Sequence, residues 1–173
     1  MLKSLFFFIL FCSFLGSSAL ADNLPPRSSG KIYLAENAGN WVYLPKTDPS
    51  GNHNIICLAL TETSPYAVTL RGISGEFGLT LTNKKWHLMS GQYQNILLAN
   101  NHFHFSKRFY PIDAWTLGTT LSPEEENLLF QAFSKEKEMH FALEGNEKFT
   151  LPLKGSARIL SLLSNCLKES HFP

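Results

Sequence analysis

The 173-residue chain is 44% hydrophobic and 17% charged, with a formal net charge of +1. Its 15 lysines and arginines are scattered among 14 acids, so it has no electrostatic footprint for nucleic acid or for an anionic membrane surface, and both are excluded as partners. Residues 1–21 carry the three parts of a secretory signal peptide: Lys3 near the start, an apolar run from Leu5 to Leu15, and Ala19-Leu20-Ala21 before Asp22. That run is shorter than the ~20 residues a membrane span needs, and nothing later in the chain is longer, so the mature chain is expected to have no span. Cys12 follows Phe11 inside the apolar run, not a small residue at its end, which argues for soluble export over a lipid anchor. The expected location is periplasmic or secreted. Removing the signal leaves about 150 residues, one ordinary domain.

Residues 22–30 (DNLPPRSSG) have two prolines, two serines and no apolar pattern, and read as a flexible lead-in to a single domain over 31–173. Lys31–Glu36 and Trp41–Leu44 are short β-prone runs about a turn-rich spacer, a hairpin pattern, and 45–54 (PKTDPSGNHN) is a polar loop. Ile55–Leu60 (IICLAL) is the most continuous apolar run of the mature chain and suits a strand covered on both faces. Tyr66, Val68 and Leu70 alternate, and after Gly72–Gly75 so do Phe77, Leu79 and Leu81, against Gly78, Thr80 and Thr82 on the other face. Further strand-like runs include Trp86 and Leu88, Tyr93–Ala99, and His102–Phe105. Lys107–Leu121 is aromatic and irregular, with Pro111 and Gly118 limiting any long element.

Ser122-Pro123-Glu124-Glu125 predicts a helix over 122–135, with a capping serine, proline in the first turn and a glutamate three residues after the cap. Met139, Phe141 and Leu143 then alternate, as do Phe149, Leu151 and Leu153. Gly155-Ser156 changes the period, and a second helix over 156–168 follows, with Ser156 as its cap and Ile159, Leu162, Leu163, Cys166 and Leu167 on one stripe. Eight or nine strands in hairpins and two helices, without regular strand–helix alternation, predict a mainly β (α+β) domain. The architecture expected is an antiparallel β-sandwich or flattened barrel with the last helix packed on it.

Cys57 and Cys166 are the two cysteines left after export. In an oxidising compartment they form most simply one disulfide, with two free thiols or a shared metal site as the alternatives. Closing a loop of about 110 residues stabilises a fold by about 4–5 kcal/mol in the chain-entropy model. His102 and His104, at i, i+2, are weak metal-ligand candidates with no third ligand near in sequence, so no metal site is assigned. Gly72-Ile73-Ser74-Gly75 misses the nucleophile-elbow pattern by one residue, and Asp113 could serve a triad in many inert chains as well as in this one. A thiol enzyme would need one of the two cysteines free, and both sit on apolar stripes. There is no P-loop or dinucleotide fingerprint, and no cofactor is expected. The feature left over is aromatic: Trp41, Trp86, Phe109, Tyr110 and Trp115 are candidate binding anchors, against the alternative that they fill the sandwich and cover its ends.

An export signal, the run Cys57-Leu58-Ala59-Leu60, the glycine-punctuated GEFGLTLTNKKWHL and a closing strand, Gly-Ser, helix and cysteine resemble the small bacterial periplasmic proteins of the invasion-associated locus B type. The resemblance spans roughly Asn54 to Cys166 and rests on structural residues, so it brings no catalytic residues with it. It implies an envelope protein with a β-rich domain and a role in host interaction in pathogens. The function expected is therefore a non-enzymatic binding module for a protein or envelope component. An inhibitor or immunity protein for an exported enzyme is the alternative, and a small hydrolase or thiol enzyme the third.

Overall fold

A computed structural model describes residues 31–73 and 75–169; the expected signal peptide at 1–21, the expected lead-in at 22–30, Ser74 and residues 170–173 lie outside them. The chain forms β1 (Glu36–Ala38), β2 (Trp41–Thr47), β3 (Asn54–Thr63), β4 (Tyr66–Ile73), β5 (Glu76–Asn83), β6 (Gln94–Ala99), β7 (His104–Pro111) and β8 (Thr116–Leu121). Helix α1 (Pro123–Lys135), β9 (Glu138–Ala142), β10 (Lys148–Pro152) and α2 (Ser156–Glu169) follow. The strands lie in the order β1-β2-β3-β4-β5-β8-β7-β6-β9-β10, antiparallel throughout. This is the mainly β fold expected, an unclosed sheet of sandwich or flattened-barrel type.

The two ends of the sheet meet at one point. The Asn40 N–H donates to the Lys154 carbonyl at 3.2 Å. The approach depends on Gly39 and Gly155, both at positive φ, where a side chain would overlap the backbone of Lys154 and Ala38 respectively. Val68, Leu70, Leu79, Leu81, Ile96, Leu98, Leu117, Met139, Phe141 and Leu151 alternate onto the buried face, and Leu129, Phe133, Ile159 and Leu163 of the helices complete the core.

The expected disulfide is present. It joins Cys57 of β3 to Cys166 of α2 across a Cα–Cα distance of 6.2 Å and a separation of 109 residues. Gly72, beside Cys57 in the register, lets α2 come this close, because a methyl group there would overlap Leu167. Helix α1 starts as its sequence predicts: Ser122 Oγ accepts from the Glu125 N–H, and Glu125 Oε2 accepts from the Ser122 N–H at 2.8 Å.

Three expectations are corrected. Ser156 does not cap α2; its buried hydroxyl donates to the carbonyls of Phe133 and, at 2.7 Å, Leu153, tying the end of α1 to the start of α2. The stretch Lys107–Leu121 is not irregular but is most of the β7–β8 hairpin. Trp86 and Leu88 lie in a connection, not a strand, which brings the described strands to ten with that hairpin counted.

Candidate binding cleft at the seam between β7 and β8

Strands β7 and β8 are joined by a short loop in which Asp113 accepts from the Trp115 N–H at 2.7 Å. Their register holds only Tyr110↔Gly118 and Pro111↔Leu117, although β7 reaches back to His104 and β8 on to Leu121. Beyond those two pairs the strands part. Beside this parting lies a cavity of about 600 Å³ lined by Arg71, Glu76, Gly78, Thr80, Lys107, Arg108, Tyr110, Ile112, Gly118, Thr119 and Thr120.

Register explains this lining. Arg71 of β4, Gly78 of β5 and Thr120 of β8 lie side by side across the sheet, and in the next row Thr80, Gly118 and Tyr110 do the same. Cross-strand partners share a face, so these residues form one outer surface whose floor is glycine and threonine. Arg71 stands at one margin and Arg108 at the other.

The charges are partly compensated. Arg71 lies 3.9 Å from Glu76, whose carboxylate also accepts from the Thr120 hydroxyl at 3.0 Å. Lys107 Nζ sits 2.6 Å from Glu125 at the N-terminus of α1. Burial alone would raise the Glu125 pKa, but Lys107 and the Ser122 amide outweigh it and hold the group below its ordinary value. Arg108 stacks over Tyr93 with its guanidinium carbon 4.1 Å from the ring centroid, and Tyr93 contacts Tyr110. Tyr93, Tyr110, Ile112 and Trp115 are large, exposed side chains along this margin.

Two of the five candidate aromatics must be reassigned. Trp41 and Phe109 are fully buried; Trp41 packs edge-on against Phe133, and neither meets the surface. Trp86 is half-buried, its indole N–H held 3.0 Å from both Glu147 carboxylate oxygens. Tyr110 lines the cleft, and Trp115 is exposed in the β7–β8 loop. His102 lies in the turn before β7, where its Nδ1 is 3.2 Å from Glu136, and His104 is exposed at the start of β7. Among the described residues no three His, Cys, Asp or Glu side chains gather as metal ligands do. The sequence sets Gly78, Thr80 and Thr82 on one face of a strand, but neither that face nor Arg71 and Arg108 is marked by it as a site. The signal for the floor is the small-residue face of EFGLTLTN and TLGTTL, opposite the apolar alternation that identifies the strands.

These features define a mainly β, disulfide-bridged domain with both helices packed into its core and a cleft of mixed polar and apolar lining on its outer face. Its fold is that of the crystal structure of invasion associated protein B from Bartonella henselae, with a TM-score of 0.54 and 13% sequence identity over 79% of this chain and all of that one. No protein-family model and no curated protein sequence matches the chain.

Proposed function

We propose that the chain is an exported, non-enzymatic binding module of the bacterial envelope that recognises a protein or envelope component through the β7–β8 cleft and its aromatic margin. The observation that carries this reading is the cleft itself: an open cavity of about 600 Å³ with cations, hydroxyls and Tyr110 around a glycine floor. Clefts with a few placed polar groups are where ligands bind, and exposed aromatics and arginines are the residues that anchor partners. The Cys57–Cys166 bridge supports export, since such bridges persist in oxidising compartments.

The test is capture from envelope or host extracts by the immobilised mature domain, with crosslinking, beside the R108Q/Y110A variant and an H140A variant outside the cleft. Wild type and H140A are expected to retain the same partner and R108Q/Y110A to lose it. Retention of nothing by wild type, or equal retention by the cleft variant, would overturn the reading. A serine labelled by an activity probe in the native protein would favour the hydrolase alternative instead.

A further inference from the structure

The alternation of hydrogen bonds around the β7–β8 loop shows what the parted strands leave open. The Ile112 N–H donates to the Thr116 carbonyl at 2.8 Å, while the Trp115 carbonyl accepts from Asn83 of β5 at 2.9 Å. In an antiparallel ladder hydrogen-bonded pairs alternate with non-bonded ones. Ile112 and Thr116 are therefore a bonded position, Pro111 and Leu117 a non-bonded one, as suits a residue without an N–H, and Tyr110 and Gly118 the next bonded one. The step after that would join Arg108 to Thr120, and the register ends before it. The ladder-directed backbone groups of Arg108 and Thr120 consequently face the cleft with no register partner across it, the Thr120 carbonyl accepting a long bond of 3.5 Å from the neighbouring Thr119 hydroxyl. Such open strand positions are templates for an added extended chain.

The side chains around this step select charge. Arg71 and Arg108 stand at the two ends of the row whose floor is Gly78 and Thr120, so no side chain rises from Gly78 between them. Tyr93 supports the Arg108 guanidinium from one side, which leaves its N–H fork for a carboxylate. Arg71 and Thr120 already converge on one carboxylate, that of Glu76, at 3.9 and 3.0 Å. A uronate or a phosphate would also satisfy the guanidiniums, but only a polypeptide backbone answers the open ladder step as well.

We propose that the seam takes an acidic polypeptide segment in extended conformation, its backbone paired with Arg108 and Thr120 and its carboxylates held by Arg71 and Arg108. The proposal rests on the binding reading above and names its ligand class.

The probe is a fluorescein-labelled peptide alternating glutamate and threonine, titrated against the mature oxidised domain by anisotropy. Its comparators are a lysine–threonine peptide, the glutamate peptide N-methylated at alternate backbone positions, and oligogalacturonate of matched charge. Binding of the glutamate peptide is expected to weaken about tenfold or more in R71Q/R108Q, the scale of a lost charge-assisted contact. Backbone methylation is expected to weaken it similarly, and the lysine peptide is expected not to bind. Circular dichroism and the melting temperature confirm that R71Q/R108Q, altered at exposed positions, keeps its fold. Equal binding of the methylated peptide or of oligogalacturonate would overturn the polypeptide assignment, and insensitivity to R71Q/R108Q would overturn the site. No affinity for the glutamate peptide, beside cleft-dependent capture of an envelope partner, would sink this inference and leave the function reading standing. Loss of both would sink both.

Discussion

Glu147 shows how a residue with no sequence pattern fixes a region of the molecule. Its carboxylate accepts from the Tyr66 hydroxyl at 2.7 Å, the buried Asn83 amide at 3.3 Å and the Trp86 indole at 3.0 Å, drawing β4, the end of β5 and the following connection together. Tyr66 also stacks on Phe149 with ring centroids 4.0 Å apart. The sequence offers Trp86 as a candidate anchor but gives no means of seeing that a glutamate 61 residues later engages its N–H. The site residues are hard to read for the same reason, since cross-strand neighbours such as Arg71 and Thr120 become adjacent only when register is known. The Tyr66 environment has a measurable consequence. Burial, then the Glu147 hydrogen bond and charge, push the Tyr66 pKa up to about 12, and burial pushes Tyr43 up to about 12 as well. A folded-state pKa above the unfolded value means that the native protein keeps protons the unfolded chain releases near pH 10. The stability tied to these two hydroxyls is therefore complete below about pH 10 and lost as pH rises from about 10 to 12. Urea midpoints measured across that range without reductant are expected to fall for the wild type and to fall less steeply for Y43F/Y66F. An equal decline in both would show that these tyrosines are not its source.

At the level of elements, the sequence was most legible where one local rule acts alone. The α1 start follows from Ser122, Pro123 and Glu125, and its capping box forms as the spacing predicts. The β7–β8 hairpin was hidden because Pro111 and Gly118 read as breakers. In the fold Pro111 occupies a non-bonded ladder position that needs no N–H, and Gly118 is pleated into β8 under the Ile112 side chain. Ser156 misled in the opposite way: a serine after glycine and before an apolar stripe has the form of a cap, yet burial against the end of α1 claims its hydroxyl for the Phe133 carbonyl. Gly155, immediately before it, makes a prediction specific to this junction. Its φ of +93° disfavours any side chain, and a Cβ would overlap the backbone carbonyl of Ala38, which is main chain and cannot rotate away. G155A is expected to cost about 1–3 kcal/mol from backbone strain alone, with the overlap adding to it. G145A, also at positive φ but with nothing within 4 Å, is expected to cost the strain alone. Chemical denaturation of the two variants side by side separates the contributions, and equal losses would mean that the sheet ends do not need their close approach.

For the molecule as a whole, the unclosed sheet raises the question of what keeps its two ends and its helices together. The meeting of the ends contributes the Asn40–Lys154 hydrogen bond, worth about 1 kcal/mol net, and the exposed Arg158–Glu36 pair at 2.8 Å, worth little in water. Far more rests on α2, whose Ile159, Leu163 and Cys166 are buried in the common core, and on the bridge that ties it to β3. Cross-linking positions 109 residues apart removes about 4–5 kcal/mol of chain entropy from the unfolded state, although measured effects scatter from about 0 to 5. A domain of this size commonly has only about 5–15 kcal/mol in total. The C57A/C166A variant is therefore expected to lose about 3–5 kcal/mol in urea unfolding, with the same secondary structure by circular dichroism under native conditions, because the apolar stripe of α2 remains. Both sulfurs are nearly inaccessible, with Cys57 at 0% and Cys166 at 2% exposure. In the wild-type protein neither is expected to take up an alkylating agent before reduction and denaturation, as intact mass would show. A variant as stable as the wild type would mean that apolar packing alone holds α2 in place. A thiol labelled in the native, unreduced protein would mean that the bridge is not closed in solution, and would reopen cysteine chemistry as part of the function.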